Sequence, residues 1–241
     1  MNLKIKIIFS FIILFLSISL VNAKDIYYIN ENNVYLTKDE YDFVVNMFYD
    51  GYQHLMTIDD YNIIFENGND SIQKIESRTI ETFNYSRATY HETASKYFTI
   101  KKSCSSNCLI TLVAEWKKNP NVRSYDVIGA YLDGVELVST PSTTAANTSS
   151  SNTSLEMVSD SNGFGISVKL PTGGNNMMVS QYFRVSTGGT VYGSYQHATA
   201  TISLANSKKY SIASSGFGGV FLFQSSVRDY YDGMGGINIE V

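Results

Sequence analysis

The residues of this chain that could act as catalytic acids, bases or nucleophiles are scattered along its length. Its three histidines, His54, His91 and His197, have neither HExxH nor HxH spacing, so they predict no metal site. Serine is abundant, but no GxSxG nucleophile elbow occurs. A Ser/His/Asp triad with His197 as its base would have to assemble from distant residues. The sequence therefore contains no catalytic motif and predicts no metal or other cofactor.

The densest group of polar, aromatic and glycine residues lies near the C-terminus. Asp229 and Asp232 flank the pair Tyr230-Tyr231 and precede several glycines. Such a loop could bind a ligand or hold a cation between its two acids. The alternative is a tight turn before a last strand over 237–241, and the glycine-rich composition favours that turn.

Tyrosine is the most unusual feature of the composition, with 18 Tyr and 13 Phe against one Trp. A tyrosine offers a flat apolar face and a polar tip, which suits carbohydrate stacking and protein interfaces. The alternative is that β propensity and a biased codon usage explain the excess. The residues that we select as candidate binding residues are Tyr192, Tyr195, His197, Asp229, Tyr230, Tyr231 and Asp232.

Cys104 and Cys108 are the only cysteines, and the triplet between them has the composition of a turn. Two lone cysteines in an exported protein usually pair, so we predict a disulfide that pins the tip of a hairpin. Metal binding would need more soft ligands than this region offers. The CxxxC spacing also differs from the CxxC spacing of redox motifs.

Residues 1–23 have the pattern of a secretory signal peptide. Lys4 and Lys6 precede an apolar run over 7–21, and Val21-Asn22-Ala23 resembles a cleavage site. The alternative is an uncleaved anchor, but the run is short for a membrane span of about 20 residues. We therefore expect a secreted, extracellular or cell-surface protein without a membrane span after cleavage. The net charge of −4 argues against a protein that neutralises nucleic-acid phosphates.

Residues 24–75 predict a short helical hairpin. Thr37 and Glu40 have the spacing of a capping box, which marks the start of a helix. Apolar residues with helical periodicity follow. The same device returns at Thr57 and Asp60, so a second short helix is expected.

Residues 76–241 predict a mainly β domain. Apolar and polar residues alternate over 110–116, 164–170, 177–185 and 198–204, which is typical of half-buried antiparallel strands. Asp133-Gly134 is the strongest signal for a hairpin turn. We predict about ten strands, and sheets of that size normally close on a second sheet. The expected fold is an antiparallel β-sandwich, jelly-roll-like, preceded by the helical hairpin.

The segment 139–154 has a different composition, since 13 of its 16 residues are Ser, Thr or Asn. Such residues bury little apolar area, which predicts an exposed loop or a linker. A linker would split the β region, and residues 78–138 provide too few strands for a sandwich of their own. We therefore expect an exposed loop within one sandwich domain.

Several stretches resemble parts of exported proteins from low-GC Gram-positive bacteria. The stretches are 26–30 with Val34, 36–41, 116–128, most notably 123–128, and 192–197. The resemblance implies export and a layout of helices followed by sheet, and it brings no catalytic residues.

The sequence leaves three hypotheses for function. The first is a non-enzymatic, secreted or cell-surface binding module that recognises a glycan, the cell wall or a protein partner. The second is an extracellular hydrolase whose site is assembled from distant residues. The third is a structural or assembly subunit that associates through exposed strand edges. Export and the lack of a catalytic motif favour the first.

Overall fold

The computed structural model describes residues 26–48, 51–65, 89–213 and 221–241. The signal peptide predicted over 1–23, and the boundary at residue 75 between the helical and β regions, lie outside these residues. None of the helices within the described ranges has the length and apolar character needed to cross a membrane.

The protein is mainly β. Its helices are α1 (Lys38–Met47), α2 (Tyr52–Leu55), α3 (Ile58–Phe65) and α4 (Leu204–Ser207), with a 3₁₀ helix at Arg228–Tyr230. Its strands are β1 (Tyr28–Ile29), β2 (Tyr35–Leu36), β3 (Thr89–Glu92), β4 (Lys96–Cys104), β5 (Cys108–Trp116), β6 (Tyr125–Asp133), β7 (Ser142–Ala146), β8 (Ser151–Ser154), β9 (Met157–Asp160), β10 (Gly163–Lys169), β11 (Met178–Val185), β12 (Thr190–Ala198), β13 (Tyr210–Ile212), β14 (Phe221–Phe223) and β15 (Tyr231–Glu240).

Two antiparallel sheets pack face to face. One has the strand order β3-β4-β5-β11-β7-β8 and the other β15-β12-β6-β10-β9. The core between them draws alternate residues from both sheets, such as Ile100, Leu112, Ile128 and Phe164. The chain crosses between the sheets from β5 to β6, β6 to β7, β8 to β9, β10 to β11 and β11 to β12. The predicted antiparallel, jelly-roll-like β-sandwich is therefore confirmed.

The N-terminal helices cover the outer face of the six-stranded sheet. Buried residues of this region, including Val44 and Met56, pack on Val113 and Tyr182 of the sheet. Thr37 and Glu40 form the predicted capping box at the start of α1, which confirms that helix start. Three helices are present here where two were predicted, because α2 forms in the connection.

A small hairpin, β13–β14, covers part of the outer face of the five-stranded sheet. It lies over Gly165 of β10 so closely that an added Cβ would be 2.5 Å from the Phe221 ring and 2.6 Å from the Tyr210 hydroxyl. Such distances are shorter than real side chains tolerate. The hairpin can therefore lie this low only because residue 165 has no side chain.

The prediction of an exposed loop over 139–154 is wrong for most of that segment. It contains β7, which pairs with β11, and β8, which pairs with β7. Thr143 is buried, and its hydroxyl accepts a hydrogen bond from the Gln181 side chain at 2.9 Å. Small polar residues can enter a sheet when strand pairing satisfies the backbone and a neighbour satisfies the hydroxyl.

Two local predictions on the β region also need correction. Gly134 has a positive φ of 73° in a bend after β6, but the predicted hairpin does not form. Instead the chain crosses to the other sheet, where Leu137 bridges Val185 of β11. The strand predicted over 198–204 ends at Ala198, and Ser203 then caps α4 by accepting from the Asn206 amide.

Candidate functional site

The alternation of residues along β12 and β15 divides the candidate binding residues between two faces. Tyr195, His197 and Asp232 are on the side of the strands that faces the sandwich interior. Tyr192 and Tyr231 are on the outer side, where they pack against the β13–β14 region. The seven residues selected from the sequence therefore do not form one site.

The inward-facing residues belong to a group that we call the polar cluster, at one end of the sandwich interior. Its members are Lys96, Trp116, Asp126, Tyr195, His197 and Asp232. They come from both sheets, because Lys96 and Trp116 are on β4 and β5 while the others are on β6, β12 and β15. Lys96 pairs with Trp116 across the first sheet, and His197 pairs with Asp232 across the second.

Asp126 organises the second sheet's part of the polar cluster. Its carboxylate is fully buried and accepts hydrogen bonds from the Tyr195 hydroxyl, from His197 Nδ1 at 3.0 Å and from the Ala198 amide at 2.9 Å. Burial, and then the negative charge of Asp126, raises the pKa of the Tyr195 hydroxyl well above its ordinary value. Tyr195 is therefore a neutral hydrogen-bond donor here.

Lys96 carries a positive charge into the same interior. Its side chain is 1% exposed, and Nζ lies 2.7 Å from Asp232 Oδ2. Nζ also lies 5.0 Å from the centroid of the Trp116 ring and 5.9 Å from that of Tyr195, as in cation–π contacts. The Trp116 indole donates to the Tyr195 hydroxyl at 3.3 Å, which connects the two sheets' parts of the cluster.

Three members of the polar cluster, Lys96, Trp116 and Asp126, were missed by the sequence analysis. A signal for two of them was present in the alternation of their strands. Lys96 continues the core-facing series of Phe98 and Ile100, and Asp126 continues that of Ile128. A charged residue at a core-facing position of a strand indicates a buried polar site.

The His197–Asp126 pair has the orientation of a base held by a carboxylate, as in hydrolase triads. Its Nδ1 donates to Asp126 and its ring lies against Trp116, with centroids 4.4 Å apart. Within the described residues, no serine or cysteine makes a hydrogen bond to His197. In the same residues, no three His, Cys, Asp or Glu side chains group together in a way that could hold a metal ion.

The outer face of the five-stranded sheet carries a groove of about 340 Å³, which we call the aromatic groove. Its lining residues are Gln196, Phe221, Leu222, Phe223, Arg228 and Tyr231. The rings of Phe223 and Tyr231 stack with centroids 4.2 Å apart. The Tyr231 hydroxyl donates to the Tyr125 carbonyl at 3.1 Å, and burial raises the pKa of that hydroxyl.

Two polar side chains border these rings. Arg228 is exposed, and in the part of the chain that the structure describes its guanidinium makes no hydrogen bond or ion pair. Gln196 donates from Nε2 to the Ser194 hydroxyl at 3.1 Å. The groove therefore combines flat apolar surface with hydrogen-bonding groups of both kinds.

Asp229 and Tyr230 lie on the 3₁₀ helix next to Arg228, and both are exposed. Asp229 and Asp232 do not face one another across a loop, because Asp232 turns inward to Lys96. The tight turn predicted before a strand over 237–241 is also wrong, since β15 already begins at Tyr231. The predicted disulfide between Cys104 and Cys108 is confirmed at the tip of the β4–β5 hairpin.

Comparison with known proteins identifies no relative: no family model, no curated protein and no solved structure matches this chain. The resemblance to exported proteins of Gram-positive bacteria stays a prediction.

Proposed function

We propose that this protein is an exported, non-enzymatic binding module whose aromatic groove takes a glycan. One observation carries the proposal. The groove places the apolar residues Phe223, Tyr231 and Leu222 beside the exposed guanidinium of Arg228. The proposal also rests on the predicted signal peptide, which would deliver the protein to the compartment where cell-surface glycans occur.

The chemistry of a sugar ring matches this lining. A pyranose presents C–H groups on its faces, which pack on aromatic and apolar side chains. Its hydroxyl groups around the edge need donors and acceptors, and Arg228 and Gln196 supply both. A volume of about 340 Å³ lies at the lower end of the range for small-molecule sites, which suits one or two sugar units.

The experiment is a glycan array probed with the full chain, followed by titration of the best ligand. We expect binding to at least one oligosaccharide. Arg228→Ala should weaken it about tenfold, which corresponds to ~1.4 kcal/mol, because charge-assisted hydrogen bonds to the sugar are lost. Leu222→Ser, at a side chain that is 55% exposed, should weaken binding without loss of fold.

A matched control for Leu222→Ser is Leu155→Ser, because Leu155 is 70% exposed and does not line the groove. This variant should bind like the wild type. If no glycan binds, or if Arg228→Ala and Leu222→Ser bind as well as Leu155→Ser, the proposal is wrong. Capture of a protein instead of a glycan would favour a protein-binding module.

An extracellular hydrolase is the second candidate, favoured by the His197–Asp126 pair. The test is turnover of bacterial cell-wall material and of a panel of simple esters by the wild type and by His197→Gln. A hydrolase would release product only when His197 is present. Equal, background-level release by both proteins would exclude His197 as a base for these substrates.

A further inference from the structure

Arg228 is the one charged side chain among the described residues that line the aromatic groove. It is exposed, and none of the ion pairs between described residues includes its guanidinium. We infer that the groove is specific for an acidic sugar, a hexuronic acid whose carboxylate pairs with this guanidinium. The inference rests on the proposed function and names the class of glycan that the same groove takes.

The acids that are close to the groove in sequence or on its strands do not line it. Asp229 follows Arg228 in the chain but is not part of the lining. Asp232 turns inward, with Oδ2 2.7 Å from Lys96 Nζ. Asp126 is fully buried among its own hydrogen-bond donors in the sandwich interior. The groove therefore carries a positive charge in a chain whose net charge is −4, which makes it complementary to an anionic ligand.

The backbone that carries Arg228 is fixed in place. The side chain of Val227 is 2% exposed, and the amides of Val227 and Arg228 both donate to the Gln224 carbonyl at 3.0 Å. A guanidinium held in this way can bind a carboxylate through two parallel hydrogen bonds. A neutral ligand that covered Arg228 would remove its charge from water without supplying an opposite charge, which is unfavourable.

A hexuronic acid has the shape that this lining requires. Its carboxylate is attached at the edge of the sugar ring, so the ring can pack on Phe223 and Tyr231 while the carboxylate reaches sideways to Arg228. The two aromatic rings stack with centroids 4.2 Å apart, and the Tyr231 hydroxyl donates to the Tyr125 carbonyl at 3.1 Å. This apolar platform is therefore formed before the ligand arrives, which lowers the entropic cost of binding.

Gln196 is placed to bind the hydroxyl groups of the same ring. It pairs with Gly233 across β12 and β15, and a Cβ added at residue 233 would lie 2.6 Å from Gln196 Oε1 and 2.7 Å from Nε2. The amide can thus lie over residue 233 only because that residue has no side chain. Within the described residues its hydrogen-bond partner is the Ser194 hydroxyl, which leaves one N–H and the oxygen for a sugar.

The experiment is calorimetric titration of the full chain with oligosaccharides of galacturonic acid and of glucuronic acid, each compared with its methyl ester. The ester has nearly the same size as the acid but no charge. We expect the wild type to bind one of the acids about tenfold more tightly than its ester, because a charge-assisted pair is stronger than a neutral hydrogen bond. This preference should shrink as the salt concentration is raised.

Three variants separate the roles of the groove residues. Arg228→Gln should bind the acid as weakly as the ester, with the affinity for the ester unchanged. Gly233→Ala should weaken the acid and the ester by the same factor, because the new methyl group displaces the Gln196 amide. Lys118→Gln is the matched control, since it removes one positive charge at an exposed residue outside the groove, and it should keep the wild-type preference.

Equal affinity of the wild type for acid and ester, with binding of a neutral oligosaccharide, would overturn the inference and leave the proposed function standing. A preference that survives in Arg228→Gln, or that disappears in Lys118→Gln, would also overturn it. Tighter binding of a sugar phosphate than of either uronic acid would contradict the choice of a carboxylate. The absence of binding to any glycan would instead refute the proposed function itself, so the two failures are distinguishable.

Discussion

Asp126 is a fully buried carboxylate in the sandwich interior. Three donors converge on it, from the Tyr195 hydroxyl, the His197 ring and the Ala198 backbone. Each donor is in a buried part of the chain, where an unpaired polar group is costly. The order of this end of the interior therefore depends on the Asp126 carboxylate.

Replacement of Asp126 by Ala should destabilise the fold. The change leaves the Tyr195 hydroxyl and the Ala198 amide buried without their acceptor, and we expect the free energy of unfolding to fall by about 3–5 kcal/mol. Urea unfolding followed by circular dichroism measures this value. Asp229→Ala is the control, because Asp229 is exposed, and it should change stability by less than about 0.5 kcal/mol. Similar losses in both variants would contradict this assignment.

The polar cluster shows which part of a site can be predicted from residue types. Tyr195, His197 and Asp232 were selected for their chemistry, but their common site was not expected, because β12 and β15 are far apart from β4 in the chain. Lys96 and Asp126 were overlooked, although both lie at core-facing positions of alternating strands. The pairing of strands, which brings the residues together, depends on contacts distant in sequence.

The start of α1 and the tip of the β4–β5 hairpin were predicted correctly because their causes are local. The Thr37 capping box and the disulfide of the β4–β5 tip involve residues within four positions of each other. The strands β7 and β8 were missed because β7 is stabilised by pairing with β11, which lies further along the chain, and β8 by pairing with β7. Composition alone could not predict that partner.

The disulfide is an element-scale feature, and its contribution should be small. It closes a loop with a sequence separation of 4, so it restricts the unfolded chain little. We expect the double variant Cys104→Ala, Cys108→Ala to lose about 2 kcal/mol or less in urea unfolding. Reduction of the wild type with a thiol should give the same result. A loss of most of the stability would show that the hairpin tip has a larger role.

The described residues form four layers: helices, six-stranded sheet, five-stranded sheet and the β13–β14 hairpin. Tyrosines lie buried at each of the three contacts between these layers. Burial raises the pKa of Tyr182, Tyr195, Tyr210 and Tyr231 above the ordinary value of 10.0. Lys101 is half-buried, and burial lowers its pKa. Its effect on how stability changes with pH is therefore opposite to that of the tyrosines.

These tyrosines predict alkaline destabilisation. In the unfolded chain they ionise near pH 10, while in the folded protein they stay protonated, so the unfolded state loses protons first. Between neutral pH and about pH 10 these tyrosines should leave stability unchanged, and above pH 10 stability should fall by ~1.4 kcal/mol per pH unit for each of them. Urea unfolding at several alkaline pH values measures the slope.

Tyr210→Phe tests this assignment, because its hydroxyl is buried without a hydrogen-bond partner among the described residues. The variant should be at least as stable as the wild type at neutral pH and should show a smaller alkaline slope. Tyr230→Phe, at a ring that is 46% exposed, should leave the slope unchanged. Equal slopes in all three proteins would contradict the prediction.

Gly165 lies beneath both Tyr210 and Phe221, and Phe221 forms one wall of the aromatic groove. The width of that groove therefore depends on a position that a ligand would never touch. A single added methyl group at residue 165 would push the β13–β14 hairpin away from the sheet and change the shape of the aromatic groove. Selection for a different ligand could thus act on residue 165, while every residue in contact with that ligand stays the same.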